Sequence, residues 1–113
     1  MSDSCIFCRI AGGDIPAKLV LENEHVVAFR DLDPKAPTHV LVVPKRHVAT
    51  LDEAHDGAEL GALMLGAAEV ARREGLVEGG YRTVINCGKG AGQTVFHLHV
   101  HVLGGRALSW PPG

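Results

Sequence analysis

"VFHLHVHVL", residues 95–103, sets histidine at every second position of an otherwise apolar run: His97, His99 and His101. Alternate side chains of a strand point to opposite faces. The spacing therefore predicts a strand whose Leu98, Val100 and Val102 face a core while the three histidines form a polar ridge on its back.

Outward from this run, the chain divides into short elements. "GKGAGQT" (88–94) is a glycine-rich loop, and "YRTVINC" (81–87) before it is a strand. Leu60, Leu63, Met64, Ala67, Ala68 and Ala71 recur at helical spacing, which predicts one long helix over 56–74. "THVLVVPK" (38–45) is a β-branched run and a buried strand, delivered by the turn-rich "DLDPKAP". "KLVLEN" (18–23) and "HVVAFRD" (25–31) are two strands joined by a tight turn, and residues 5–11 form a short helix ending at Gly12 and Gly13. The expected fold is α+β: a five-stranded antiparallel sheet covered on one face by one long helix, with a short N-terminal helix, in a single domain over 1–113. The tail "GGRALSWPPG" continues neither kind of element.

Composition narrows the function. The chain is 46% hydrophobic and 21% charged, and its formal net charge of −2 offers no broad basic face for nucleic acid. "MSDSCIFCRI" lacks the basic and apolar regions of a secretory signal, and no run approaches the ~18 apolar residues of a membrane span, so a cytoplasmic protein is expected. At 113 residues a domain buries only about 65% of its unfolded surface, and pairing with a second copy would help. Three cysteines are an odd number, which in a reducing compartment points to metal binding or free thiols; Cys87 reads as a partly buried thiol.

The three histidines do not suit one ion. At about 3.3 Å per residue the Cα atoms of His97 and His101 lie about 13 Å apart, whereas zinc takes nitrogen ligands at about 2.0–2.1 Å. Divided labour follows. A neutral imidazole with one nitrogen fixed by a hydrogen bond presents the other as a nucleophile, and a phosphoryl centre is a suitable target where donors bear its charge. The loop offers backbone N–H groups freed by glycine, and the side chains of Gln93 and Thr94. It is not a P-loop, for it lacks that spacing and precedes a strand. "CIFC" (Cys5 to Cys8) has ligand spacing, yet two cysteines leave a zinc site open, so the remaining ligands would be histidines. A redox dithiol and two unengaged thiols are the alternatives.

"HLHVHVL" resembles the histidine-triad signature, and "NCGKGAGQTVFHLHVHVLGGR", "IPAKLVLENEHVVAFRDLDPKAPTHVLVVPKRH" and the terminal "WPPG" are similar to the nucleotide-binding, phosphoramidase-like branch of the HIT family, from Cys5 onward. The resemblance implies a homodimer that hydrolyses purine nucleoside 5'-phosphoramidates, binding the substrate or the nucleoside monophosphate. It implies that His99 is the nucleophile of a nucleotidyl-histidine intermediate, that His101 contacts the α-phosphate and assists the leaving group, and that His97 and His39 complete the histidine network. Asp31 would take the ribose hydroxyls, Leu32 would wall the base, and Asn86, Gly92, Gln93 and Thr94 would hold phosphate and leaving group. Trp110 would lie near the partner's active site, if it is not simply a surface aromatic. The bacterial-type pattern further implies a structural Zn2+ on Cys5, Cys8, His47 and His97.

Two departures stand out: Thr94 where many relatives have serine, and Arg30 where animal relatives often carry histidine. Hydrolase is the leading expectation. A nucleotide-binding regulatory dimer with incidental hydrolysis is the rival, and an adaptor built around a structural zinc leaves the glycine loop unexplained.

Overall fold

β3 (Thr38–Pro44), almost wholly buried, is the middle of the sheet in the computed structural model, which describes residues 4–113. Its β-branched residues suit a strand packed on both faces. β1 (Leu19–Glu22), β2 (Val26–Arg30), β4 (Tyr81–Val84) and β5 (Val100–Gly104) complete a five-stranded sheet of order β1-β2-β3-β5-β4. Every pairing is antiparallel, as expected.

The register sets Ala28 beside Val42, Val40 beside Val102 and Val42 beside Val100. These residues form the larger core with Leu63, Ala67, Val70 and Ala71 of α2 (Gly57–Arg73). Asp56 starts α2 by accepting the backbone N–H groups of Ala58 and Glu59, at 3.0 and 3.2 Å. Gly66 lets the helix approach closely: a Cβ there would lie 3.1 Å from Val26 Cγ2 and 3.4 Å from Val42 Cγ1. Met64, expected in the core, is exposed, while Gly66 and Val70 take inward positions. Core contact centres on the 63/66/67/70 stripe, and Met64 falls beside it.

The sheet is covered on both faces, and here the expectation is corrected. Val27, Phe29, Leu41 and Val43 alternate with the larger core and pack under Phe7 of α1 (Ile6–Ala11). The supposed polar ridge is consequently dry in part, with His97 at 0% and His99 at 7% exposure. The final strand is also shorter than 95–103, because residues 95–99 leave the ladder and Leu98 N–H bonds to Val48 O at 2.6 Å. β4 stops at Val84 and not at residue 87, and Cys87 is exposed, not partly buried. Short 3-10 turns at Leu51–Glu53 and Lys89–Ala91 were not foreseen. Among the described residues, no helix is long and apolar enough to cross a membrane.

Candidate active site and metal centre

Cys5 and Cys8 at the start of α1, His47 beyond β3 and His97 before β5 come together. His97 Nδ1 lies 3.3 Å from Cys5 Sγ, 3.4 Å from Cys8 Sγ and 3.2 Å from His47 Nδ1; Cys8 Sγ is 3.2 Å from His47 Nδ1. A single lone pair on Nδ1 cannot serve three neighbours as separate hydrogen bonds. Convergence on one cation can. Zinc bound at about 2.0–2.1 Å to nitrogen and about 2.3 Å to sulfur would separate its ligands by about 3.3–3.8 Å, close to these spacings. His97 Nε2–H donates to Pro44 O at 2.8 Å, which leaves Nδ1 free of hydrogen and turned to the cluster. The donor set therefore fits a metal ion.

The backbone carbonyl of His97 has a second task. It accepts Nδ1–H of His99 at 2.7 Å, so the neutral ring of His99 keeps its lone pair on Nε2. His101 stands next to it, with ring centroids 5.0 Å apart.

A third histidine sets the tautomer of His101. The backbone N–H of Lys35 donates to His39 Nδ1 at 3.0 Å, which places the hydrogen of the neutral ring on Nε2. That hydrogen is directed at His101 Nδ1, 2.9 Å away, so His101 carries its own hydrogen on Nε2. Asp31 Oδ2 lies 3.5 Å from His39 Nε2. Burial is the main force lowering the pKa of both rings; that of His101 falls to about 4, helped by His99 and His39, and opposed by Asp31. Asp31, His39 and His101 are compact enough to suggest a second metal cluster. Their hydrogen bonds argue against one, since His39 Nε2 bears a hydrogen and His101 Nδ1 receives it.

Gly88 and Gly92 take positive φ, 91° and 98°, and shape the loop between β4 and the histidines. Gln93 departs from its expected role as a side-chain donor to an anion. It is 3% exposed; its Nε2 donates to Ala49 O and Val95 O at 2.9 and 3.1 Å, and its Oε1 accepts Gly88 N–H at 2.8 Å. The amide braces the loop. Thr94 is exposed at the rim, and half-buried Asn86 lies two residues beyond Val84, the register partner of His101. Leu32 stands clear of the other residues at 97% exposure, while Asp31 Oδ1 accepts Asp33 N–H at 2.7 Å. Arg30 is held by Glu74 through two bonds of 2.8 and 3.0 Å, and exposed Trp110 lies 5.9 Å from the Arg82 guanidinium.

Four contributors escaped sequence reading: Phe7, whose ring lies 5.1 Å from that of His99, the carbonyls of Pro44 and His97, and the N–H of Lys35. Backbone groups carry no residue-specific signal. Phe7 had one, as an aromatic residue inside "CIFC".

Residues 12–108 match the HIT domain family. An uncharacterized HIT-like protein of Synechococcus elongatus is 53% identical over all of both chains. A HIT family hydrolase from Legionella pneumophila superposes with a TM-score of 0.94 at 48% identity, covering 97% of this chain and 100% of the other. A Zn-bound histidine triad family protein from Mycobacterium smegmatis gives 0.82 at 35% identity, over 91% and 76% of the two chains. A histidine triad nucleotide-binding protein from Candida albicans gives 0.83 at 32%, over 96% and 83%.

Proposed function

Because this chain belongs to the HIT domain family, we propose that it is a purine nucleoside phosphoramidate hydrolase acting through His99. The observation that carries this reading is the 2.7 Å bond from His99 Nδ1–H to His97 O, which reserves Nε2 as a nucleophile. Resemblance to the Legionella hydrolase and the Candida nucleotide-binding protein supports the reaction class and the ligand.

In this reading the Nε2 lone pair attacks the α-phosphorus and the P–N bond breaks. The amine departs with a proton from solvent while His101 Nε2–H bonds to the phosphate or the leaving nitrogen. Water then attacks phosphorus and gives up a proton to solvent, the P–Nε2 bond breaks with its electron pair returning to Nε2, and the nucleoside monophosphate is released. Two displacements replace one difficult step. Loop N–H groups around Gly92, the Thr94 hydroxyl and Asn86 would bear charge on the transferring group. Asp31 would hold the ribose hydroxyls and Leu32 one wall of the base. Gln93 would act through the loop that it braces.

Cys5, Cys8, His47 and His97 would hold Zn2+, for which the Zn-bound Mycobacterium relative is a precedent. Bound there, zinc would act as a closed structural cross-link between α1 and the histidine segment. We further propose one domain over 1–113, a homodimer that brings Trp110 toward the partner's site, and a cytoplasmic location.

The test is His99→Ala. It should abolish turnover of an adenosine phosphoramidate while adenosine monophosphate still binds, and an adenylyl group should be trappable on His99 of the unaltered protein. Undiminished turnover in the variant would overturn the assignment.

A further inference from the structure

We infer that Phe7 is a positioning residue for His99, holding the plane of the imidazole that Nδ1 alone cannot fix. This rests on His99 being the nucleophile. One hydrogen bond restrains one ring atom, and the torsion that turns an imidazole about its Cβ–Cγ bond is broad. Something must grip the ring itself. The Phe7 and His99 centroids are 5.1 Å apart at an interplanar angle of 89°, within the favourable edge-to-face range. His101 contacts the same imidazole at 5.0 Å and 62°, so Phe7 and His101 both restrict its rotation.

Phe7 is itself well fixed. It is 7% exposed, packs edge-on against Phe29 at 5.3 Å and against His97 at 6.1 Å, and lies in the cluster of Val27, Leu41 and Val43. Its helix has only six residues, too few to be stable alone, and is fastened at Cys5 and Cys8, on either side of Phe7. The contact between α1 and the nucleophile is thus made by an apolar side chain between two metal-ligand candidates. Phe7 touches the imidazole assigned to attack, so its loss should alter the chemical step.

Phe7→Leu and Phe7→Met keep an apolar filling and remove the aromatic edge. With adenosine phosphoramidate, either should lower kcat about 10-fold or more, because a small misplacement of the attacking atom is costly. In 15N NMR, the His99 ring should lose its single-tautomer pattern, and Nδ1–H should exchange faster. Val27→Ala, in the same cluster, is the control: it should lower Tm at least as much yet keep wild-type kcat and the His99 signature. Wild-type kcat and His99 resonances in a folded Phe7 variant would overturn the inference. So would equal changes in Val27→Ala. Retained turnover in His99→Ala would remove the underlying functional reading instead, an outcome separable because the NMR pattern of the His99 ring requires no turnover.

Discussion

His39 Nε2 lies 2.9 Å from His101 Nδ1, and the N–H of Lys35 reaches the other nitrogen of His39 at 3.0 Å. One peptide hydrogen thereby orders two imidazoles, and the series ends on His101 Nε2–H. In His39→Ala, His101 Nδ1 loses its donor and the ring is free to take the other tautomer. We expect kcat to fall about 10- to 100-fold for an amine leaving group. The loss should be smaller for a leaving group that departs without assistance. Comparing kcat for an alkylamine and a fluorinated phenol substrate checks this; equal losses would speak against the orientation role.

Acid should destabilise the fold through these same rings. The folded pKa of His101 is lowered to about 4 from an ordinary 6.5, and that of His39 is lowered as well, in both cases chiefly by burial. Between those limits the unfolded chain binds protons that the folded chain does not, so stability is fully present above 6.5 and declines as pH falls toward 4. Urea midpoints at about pH 7.5 and about pH 5 should drop more for the wild type than for His101→Asn. The difference between the two proteins cancels acid effects at the cysteine cluster. Identical drops would contradict a neutral, half-buried His101.

The cysteine cluster predicts a metal-to-protein ratio near one. Protein purified without chelator should carry about one zinc per chain, and Cys8→Ser should retain less than about a tenth of it, with a lower Tm. Elemental analysis and a thermal melt suffice. A ratio near zero in the unaltered protein would sink the metal assignment.

Gly66 offers a test of the core with no catalytic component. Alanine would gain about 1 kcal/mol in helix propensity, but its Cβ would press on Val26 and Val42, both fully buried and stiff at χ1. Overpacking of this kind costs about 1–3 kcal/mol, so Gly66→Ala should be neutral to destabilising by up to about 2 kcal/mol. Denaturant unfolding measures it. Clear stabilisation would mean that the helix can move off the sheet.

The strands and the long helix were legible because apolar periodicity is a local property that the sheet respects. Val100 and Val102 face the larger core and β3 is a buried strand, both as expected. Strand ends were less legible: His97 abandons the ladder to reach Pro44 O and two thiols, a tertiary demand absent from its neighbours in sequence. The dry environment of His97 and His99 was hidden for a related reason, since a six-residue helix gives no sign of which face it will cover. The CxxC spacing marked half of the metal cluster, and resemblance marked His47 and His97. Gln93 looked like a ligand-binding amide because its type fits that role; only its enclosure by Ala49, Val95 and Gly88 exposes the structural one.

The contact between Cys5 and His97 spans 92 positions, nearly the whole chain. Contacts of that separation are slow to form and depend on the rest of the topology to bring their ends together. Pairing of β3 with β5, itself a long-range contact, sets His97 beside Pro44, so the clasp on α1 is coupled to completion of the sheet. Fastening the amino-terminal helix therefore joins the two ends of the chain at the segment that carries His99.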